Sequence, residues 1–183
     1  MKKRMFIAIE IPLKIKNKII ELQNELKKKI AGKWIAINNM HLTLIFLGEV
    51  EKEKLPSIKL ILKTLKTSQF NLKVRNLGGF PNLKRPHVLW IGIERSNKLL
   101  EIQNHLYQKL KEKKFRIEDR KFIGHLTLAR IRSKINSKYL EKFEQIDLGE
   151  FKVEEIVLFR SELTSSGANH QKCFEIELKP EKF

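Results

Sequence analysis

His41-Leu42-Thr43-Leu44-Ile45-Phe46 and His125-Leu126-Thr127-Leu128-Ala129-Arg130 carry one pattern twice. The chain has five His and five Thr among 183 residues; about 0.1 His-x-Thr matches are expected by chance, so two in matching contexts are a signal. Leu42, Leu44 and Phe46 follow the first His at every second position, as Leu126 and Leu128 follow the second. Period two is the strand period, and residues i and i+2 of a strand share a face. His41 and Thr43 therefore point one way and Leu42, Leu44 and Phe46 the other, into a core. His125 and Thr127 stand in the same relation to Leu126 and Leu128. Two strands each present one imidazole and one hydroxyl.

Outward from these strands the chain reads as two similar halves. Arg4 to Ile11 is a strand, and Pro12 opens a helix whose apolar residues Ile15, Ile19, Leu22, Leu26 and Ile30 recur at steps of three and four. Gly32 stops it, Trp34 to Ile37 is a short extended piece, and the first motif strand, Met40 to Leu47, ends at Gly48. A second helix spans about Glu51 to Leu65. Phe70 to Leu77 alternates as a strand, followed by a Gly78-Gly79-Phe80-Pro81 loop. The second half repeats the order: strand His87 to Ile93, a helix capped by Ser96 with Leu99, Ile102, Leu106 and Leu110 on one face, then the second motif strand. Each half takes roughly 36 residues from its first strand to its motif. Tyr139 to Phe143 reads as a short helix. Phe151 to Arg160 and His170 to Leu178 read as strands joined by a Ser-Gly-rich loop, Ser161 to Asn169. This is an internal β-α-β duplication. A pseudo-twofold axis would bring the motif strands together, with each His facing the other across one cleft. No long linker interrupts the chain, so residues 1–183 form a single α+β domain of two interleaved lobes.

Composition narrows the partners. The net charge is +17, which points to a polyanion, nucleic acid above all. Cys173 is the only cysteine, so no intramolecular disulfide is possible, and with no His–Asp constellation near it Cys173 reads as structural. A lone cysteine without a redox motif fits a reducing cytoplasm. The apolar stretch Phe6 to Ile11 is too short for a signal peptide and is broken by Glu10. No apolar run reaches the length that spans a membrane.

Paired imidazoles and hydroxyls suit acid–base chemistry at a phosphate. An imidazole titrates at about 6.5, so near neutrality one ring can take a proton while its twin gives one. Hydrolysis of a cyclic phosphate needs both: water loses a proton as it attacks phosphorus, and the departing sugar oxygen gains one. Thr43 and Thr127 are placed to donate hydrogen bonds to the non-bridging oxygens, where charge builds. Arg130 could add charge, but strict alternation puts it on the Leu face, so it reaches the cleft only if the strand bends. No His-x-His, His-Glu-x-x-His or carboxylate at ligand spacing accompanies either motif, so no metal is expected. His87, His105 and His170 lack a Thr partner, and His105 falls on a helix surface.

These residues resemble the two-histidine phosphoesterase superfamily, and within it the RNA 2′,3′-cyclic phosphodiesterase family, also called the 2′-5′ RNA ligase family of bacteria and archaea. Met5-Phe6-Ile7-Ala8-Ile9 is similar to that family's opening strand, and Asn39 to Val50 to its first motif with flanks. Gly78-Gly79-Phe80-Pro81 with Arg85 to Trp90 is similar to its middle segment. His125 to Arg130 resembles its second motif, and Ser161-Glu162-Leu163 with Gly167 its C-terminal signature. The resemblance implies a bilobal, pseudo-twofold α+β fold with two antiparallel sheets flanking a central cleft and helices outside. It implies metal-independent hydrolysis of RNA 2′,3′-cyclic phosphate ends to 2′-phosphomonoesters. His41 is then proton donor to the 3′ oxygen, His125 the acceptor from water, and Thr43 and Thr127 the phosphate ligands. Weak reverse 2′-5′ ligation is implied as a side activity.

Two positions depart from that family. Gly124 stands where a Pro usually precedes the second motif, and Ala168-Asn169-His170 where a Tyr usually follows the Gly. His170 is the residue left to orient a base there. Among aromatics, Phe46, Phe80 and Trp90 are candidates to stack on a base, although Phe46 has core parity and Trp90 reads as core. Lys27 to Lys29, Lys84-Arg85 and the run Lys111 to Lys121 could track an RNA backbone. The expected partner is RNA with a cyclic phosphate end, tRNA fragments included, bound by a monomer without cofactor. The alternatives are a 2′-5′ oligonucleotide or small cyclic-nucleotide phosphodiesterase, which shares the chemistry, and a non-catalytic RNA-binding module, which retention of all four motif residues disfavours.

Overall fold

The protein's structure, a computed structural model, describes residues 2–132, 135–164 and 167–180, with side chains at 163, 164 and 167 excepted. Among the described residues nine strands form two sheets. One has four strands in the order β3 (His41–Glu51), β1 (Lys2–Glu10), β8 (Glu155–Thr164), β9 (Gly167–Glu177). The other has five, β2 (Gly32–Trp34), β6 (His125–Ile131), β5 (Val88–Ile93), β4 (Phe70–Phe80), β7 (Asp147–Val153). Every strand pairing within them is antiparallel. The helices are α1 (Leu13–Lys27), α2 (Leu55–Lys63), α3 (Asn97–Glu112) and α4 (Ser137–Glu141).

Each β-α-β half closes a sheet with its motif strand outside its opening strand: β3 on β1, and β6 on β5. The halves are interleaved. Helix α1 leaves the first sheet and packs on β7 of the second, while α3 leaves the second and packs on β3 of the first. Ile15, Ile19, Leu22 and Leu26 of α1 are buried, as are Leu99, Ile102, Leu106 and Leu110 of α3. Ser96 caps α3 through its Oγ, which accepts from the Leu99 N–H at 3.3 Å.

Met5 to Ile9 are buried without interruption because β1 is covered on both faces. Met5, Ile7 and Ile9 join the main core under the helices, whereas Phe6 and Ala8 meet Val157 and Phe159 in a second, smaller cluster on the opposite face. That second cluster forms the floor on which functional side chains rest.

Several boundaries differ from the sequence reading. Gly48 does not end the first motif strand; it adopts φ 66° and β3 runs on to Glu51. Gly78-Gly79-Phe80 is strand, not loop, held by pairing of Gly78 with Trp90 and Phe80 with Val88. Glycine is required at 78 because the Trp90 indole lies flat over it, in the space a Cβ would fill. Phe151 to Arg160 is not one strand but parts of β7 and β8, and most of the supposed loop from Ser161 to Asn169 belongs to the β8–β9 hairpin, paired from Ser161–His170 to Thr164–Gly167. Its Ser165 and Ser166 lie outside the described residues. Cys173 is exposed rather than packed as a structural residue.

Candidate active site

Strands β3 and β6 meet where the two sheets adjoin, without hydrogen bonding to each other. Beside them opens a cleft of about 680 Å³ lined by His41, Thr43, His125, Thr127, Arg130 and His170, with Lys33, Trp34 and Asn39 among its further walls. The two His-x-Thr pairs, far apart in sequence, thus share one cavity.

Register makes the two halves nearly superimposable in pattern. His41, Thr43 and Ile45 lie opposite Glu10, Ala8 and Ile7. His125, Thr127 and Ala129 lie opposite Gly92, Trp90 and Leu89. Leu44 and Leu128 are each skipped, so both motif strands carry a β-bulge one residue after the Thr. Each bulge buries two consecutive residues, Leu44 with Ile45 and Leu128 with Ala129. Parity then flips, and Phe46 and Arg130 emerge on the face of the Thr rather than that of the Leu. This corrects the sequence reading of both. Arg130 lines the cleft because its strand bends at Leu128. Phe46 has no core position; it is 41% exposed, lies outside the cleft walls, and holds the Arg4 guanidinium over its ring at 4.9 Å.

The β6 bulge is secured by a residue the sequence reading passed over. Gln23 of α1 is 3% exposed, and its Nε2 donates to the Leu128 carbonyl at 3.1 Å and to the Ile35 carbonyl at 3.0 Å. The Leu128 carbonyl also accepts from the Ile35 N–H at 2.9 Å. The signal in the sequence was a Gln within an otherwise apolar helix face.

Each catalytic-type imidazole sits on aromatic surface. His41 stacks on Phe6 with ring centroids 4.5 Å apart, and His170 meets it edge-on at 5.1 Å. His125 is met edge-on by Phe80 at 5.0 Å and flanked by Trp90 at 5.9 Å. Phe80 and Trp90 therefore support a histidine rather than stand free in the cleft. Each histidine is also tied to the backbone two residues earlier: His125 Nδ1 lies 2.7 Å from the Ile123 carbonyl, and His41 bonds the Asn39 backbone. A carbonyl only accepts, so Nδ1 of His125 carries the proton and Nε2 keeps its lone pair.

Burial governs the proton equilibria. His41 is pushed down to about 4, by desolvation first and then by the charges of His170 and Lys16; the Asn39 bond and Glu10 oppose the shift. Desolvation also lowers His125, aided by Arg120 and opposed by the Ile123 bond. His170 is lowered by burial and by Arg4, and its buried Nδ1 has no hydrogen-bond partner among the described residues. Burial therefore favours the neutral form of all three rings. Gly124, in place of the expected Pro, adopts no left-handed φ; a Cβ there would meet Ile93 Cβ at 3.2 Å. Among the described residues no three His, Cys, Asp or Glu side chains gather as a metal site.

The family model for LigT-like phosphoesterases matches twice, over residues 9–90 and 91–168. An RNA 2′,3′-cyclic phosphodiesterase of Methanocaldococcus jannaschii is 37% identical over 168 residues, 90% of this chain and 94% of that protein. A protein of the same name from Archaeoglobus fulgidus is 34% identical over 90% of this chain and 94% of its own. Among solved structures, apo Escherichia coli LigT has a TM-score of 0.81 at 26% identity, covering 97% of this chain and 98% of that one. This chain belongs to the LigT-like phosphoesterase family. The seam between the two family matches falls inside β5.

Proposed function

We propose that this protein hydrolyses RNA 2′,3′-cyclic phosphate ends to 2′-phosphomonoesters by metal-independent acid–base catalysis. The observation that carries the reading is the shared cleft: two His-x-Thr pairs in the same register on two sheets, in a chain whose relatives are named for this reaction. Water attacks phosphorus and passes its proton to Nε2 of His125. The P–O3′ bond breaks, and His41 gives its proton to O3′. Thr43 and Thr127 donate to the non-bridging oxygens as charge builds there. Burial favours the neutral rings, and the substrate's own anionic phosphate, set between them, stabilises the imidazolium.

Glu10 weakly favours His41 as the proton donor. It stands opposite His41, where Gly92 stands opposite His125, and its charge favours a protonated His41. The deeper fall in the pKa of His41 supports the reverse assignment, His41 as base, and the two readings are separable. A diester with a nitrophenolate leaving group needs no proton donor. If His41 is the acid, His41→Ala keeps activity on that diester and His125→Ala loses it; the opposite result exchanges the roles.

A 5′-hydroxyl attacking in place of water forms a 2′-5′ bond by the same step, which is the proposed weak ligation. The RNA ends in question include tRNA fragments, met by a monomeric protein in the cytoplasm; no helix among the described residues is long and apolar enough to cross a membrane. The primary test is a short RNA with a 2′,3′-cyclic phosphate, assayed in EDTA with wild type, His41→Ala and His125→Ala. Turnover to a 2′-phosphate, lost in both variants, is the expected result. Tight RNA binding without turnover overturns the reading.

A further inference from the structure

Among the described residues β1 pairs with β8 only as far as Ser161, which lies opposite Arg4. Beyond that point β8 and β9 pair with each other alone, from Glu162–Asn169 to Thr164–Gly167. A two-stranded ribbon is marginally stable by its own pairing, so holding one position takes a further anchor. Asn39 supplies one. Its Nδ2 donates to the Ala168 carbonyl at 2.7 Å. Two residues on, His170 meets the His41 ring edge-on at 5.1 Å and the Phe6 ring at 5.0 Å. Residues i and i+2 of a strand share a face, so an anchor at Ala168 governs where His170 is presented.

Asn39 also acts on His41 directly. It lies two residues before His41, and its backbone bonds the His41 ring. One residue thus holds His41 through its main chain and the neighbour of His41 through its side chain. The second half of the molecule lacks this link. Ile123 occupies the matching place and its carbonyl holds His125 in the same way, but its side chain is apolar and 45% exposed. Among the described residues the rings against His125 are Phe80 and Trp90, and no histidine packs on it. The charged groups around His41 are Glu10 on β1, Lys16 on α1 and His170 on β9, with His125, Arg130 and Lys33 among the cleft walls. Of these, only His170 is carried by the ribbon.

Resting on the reading of His41 as a reacting group, we propose that Asn39 is a positioning residue: its side-chain amide latches the β8–β9 ribbon to the entrance of the first motif strand and so holds His170 against His41. Without the latch His170 withdraws, and the His41 ring loses one of the walls that orient it.

The test follows both motif histidines by NMR over a pH series in wild type, Asn39→Ala, His170→Ala and the double variant. Asn39→Ala is expected to raise the His41 midpoint, because withdrawal of His170 removes a like charge and part of the burial. In the His170→Ala background the same substitution is expected to leave the midpoint in place. His125, on the other sheet, reports that the fold is intact and is expected to titrate unchanged throughout. An unmoved His41 midpoint in Asn39→Ala overturns the proposal. An equal shift in both backgrounds also overturns it, since the effect then belongs to the contact of Asn39 with His41 itself. Asn39→Ser, whose shorter side chain does not reach Ala168, is expected to repeat Asn39→Ala; a wild-type titration in Asn39→Ser, or failure of both variants to fold, overturns the proposal as well. On an RNA 2′,3′-cyclic phosphate, Asn39→Ala is expected to lower kcat about tenfold or more while KM stays within about twofold; a loss confined to KM counts against the latch. If wild type turns over no cyclic phosphate, the proposed function itself fails, while the titrations still decide the latch.

Discussion

His41 shows how a side chain's proton affinity is set by what lies beneath it. Its ring rests on Phe6, and Phe159 lies 6.1 Å away within the small apolar cluster of the first sheet. That surface withholds water from the imidazolium, so the folded pKa of about 4 lies below the value of about 6.5 expected in the unfolded chain. Between those two values the unfolded chain binds more protons, so stability is whole above pH 6.5 and falls as pH drops through 4. The shift corresponds to at most about 3 kcal/mol. His41→Gln is expected to flatten that part of the stability–pH curve, read from urea unfolding at pH 7.5 and 4.5; parallel curves for wild type and variant contradict the assignment. His170 presses on the same ring, its charge lowering His41. A Tyr at this position carries no positive charge and removes that influence. His170→Tyr is therefore expected to move the His41 titration upward in an NMR pH series, and an unmoved or lowered midpoint refutes the coupling.

At the scale of the element, the β-bulge decides what the motif strand presents. Without it Arg130 would share the face of Leu126 and Leu128; with it Arg130 joins Thr127 in the cleft. Strict alternation made the motif's His and Thr legible and at the same time misplaced Arg130 and Phe46. A bulge leaves no residue-type signature here, since both skipped positions are ordinary Leu. What fixes it in β6 is Gln23, which arrives from a helix more than a hundred residues earlier. Replacing it by an apolar residue of similar shape takes one donor from the Leu128 carbonyl and leaves the Ile35 carbonyl without the amide. Gln23→Met is expected to cost about 1–3 kcal/mol of stability and to raise KM by a larger factor than it lowers kcat, since Arg130 shifts while the His and Thr residues stay. Unchanged stability together with unchanged KM would show that the bulge holds without Gln23.

The whole molecule uses its charge unevenly. The net charge of +17 is spread over exposed surface, yet among the described Lys and Arg residues only Lys33 and Arg130 line the cleft, and Arg120 alone of the basic run from Lys111 to Lys121 is charge-coupled to a motif histidine. With Lys16, which acts on His41, four cations near a bound single strand give a slope of about 3 for the fall of log affinity with log salt. Filter binding of a short RNA between low and physiological salt checks this. A flat response detaches the basic surface from RNA, and a much steeper one brings the Lys27–Lys29 or Lys84-Arg85 clusters into the contact.

The duplication, the strand character of both motifs, the three long amphipathic helices and the pairing of two His with two Thr were written in the sequence. Periodicity and repetition are properties of a chain in one dimension, and hydrophobic burial converts them directly into faces. What tertiary structure decided was different in kind. The interleaving of α1 and α3 across the two sheets, the parity switch at Leu44 and Leu128, and the continuation of β4 through Gly78 and Gly79 all depend on partners distant along the chain. So does the juxtaposition of Lys33 with Arg130. Such features rest on a carbonyl's second acceptor site, a ring's need for an empty space, or the edge of a strand left open for β2. Those conditions exist only once the sheets have closed around the cleft.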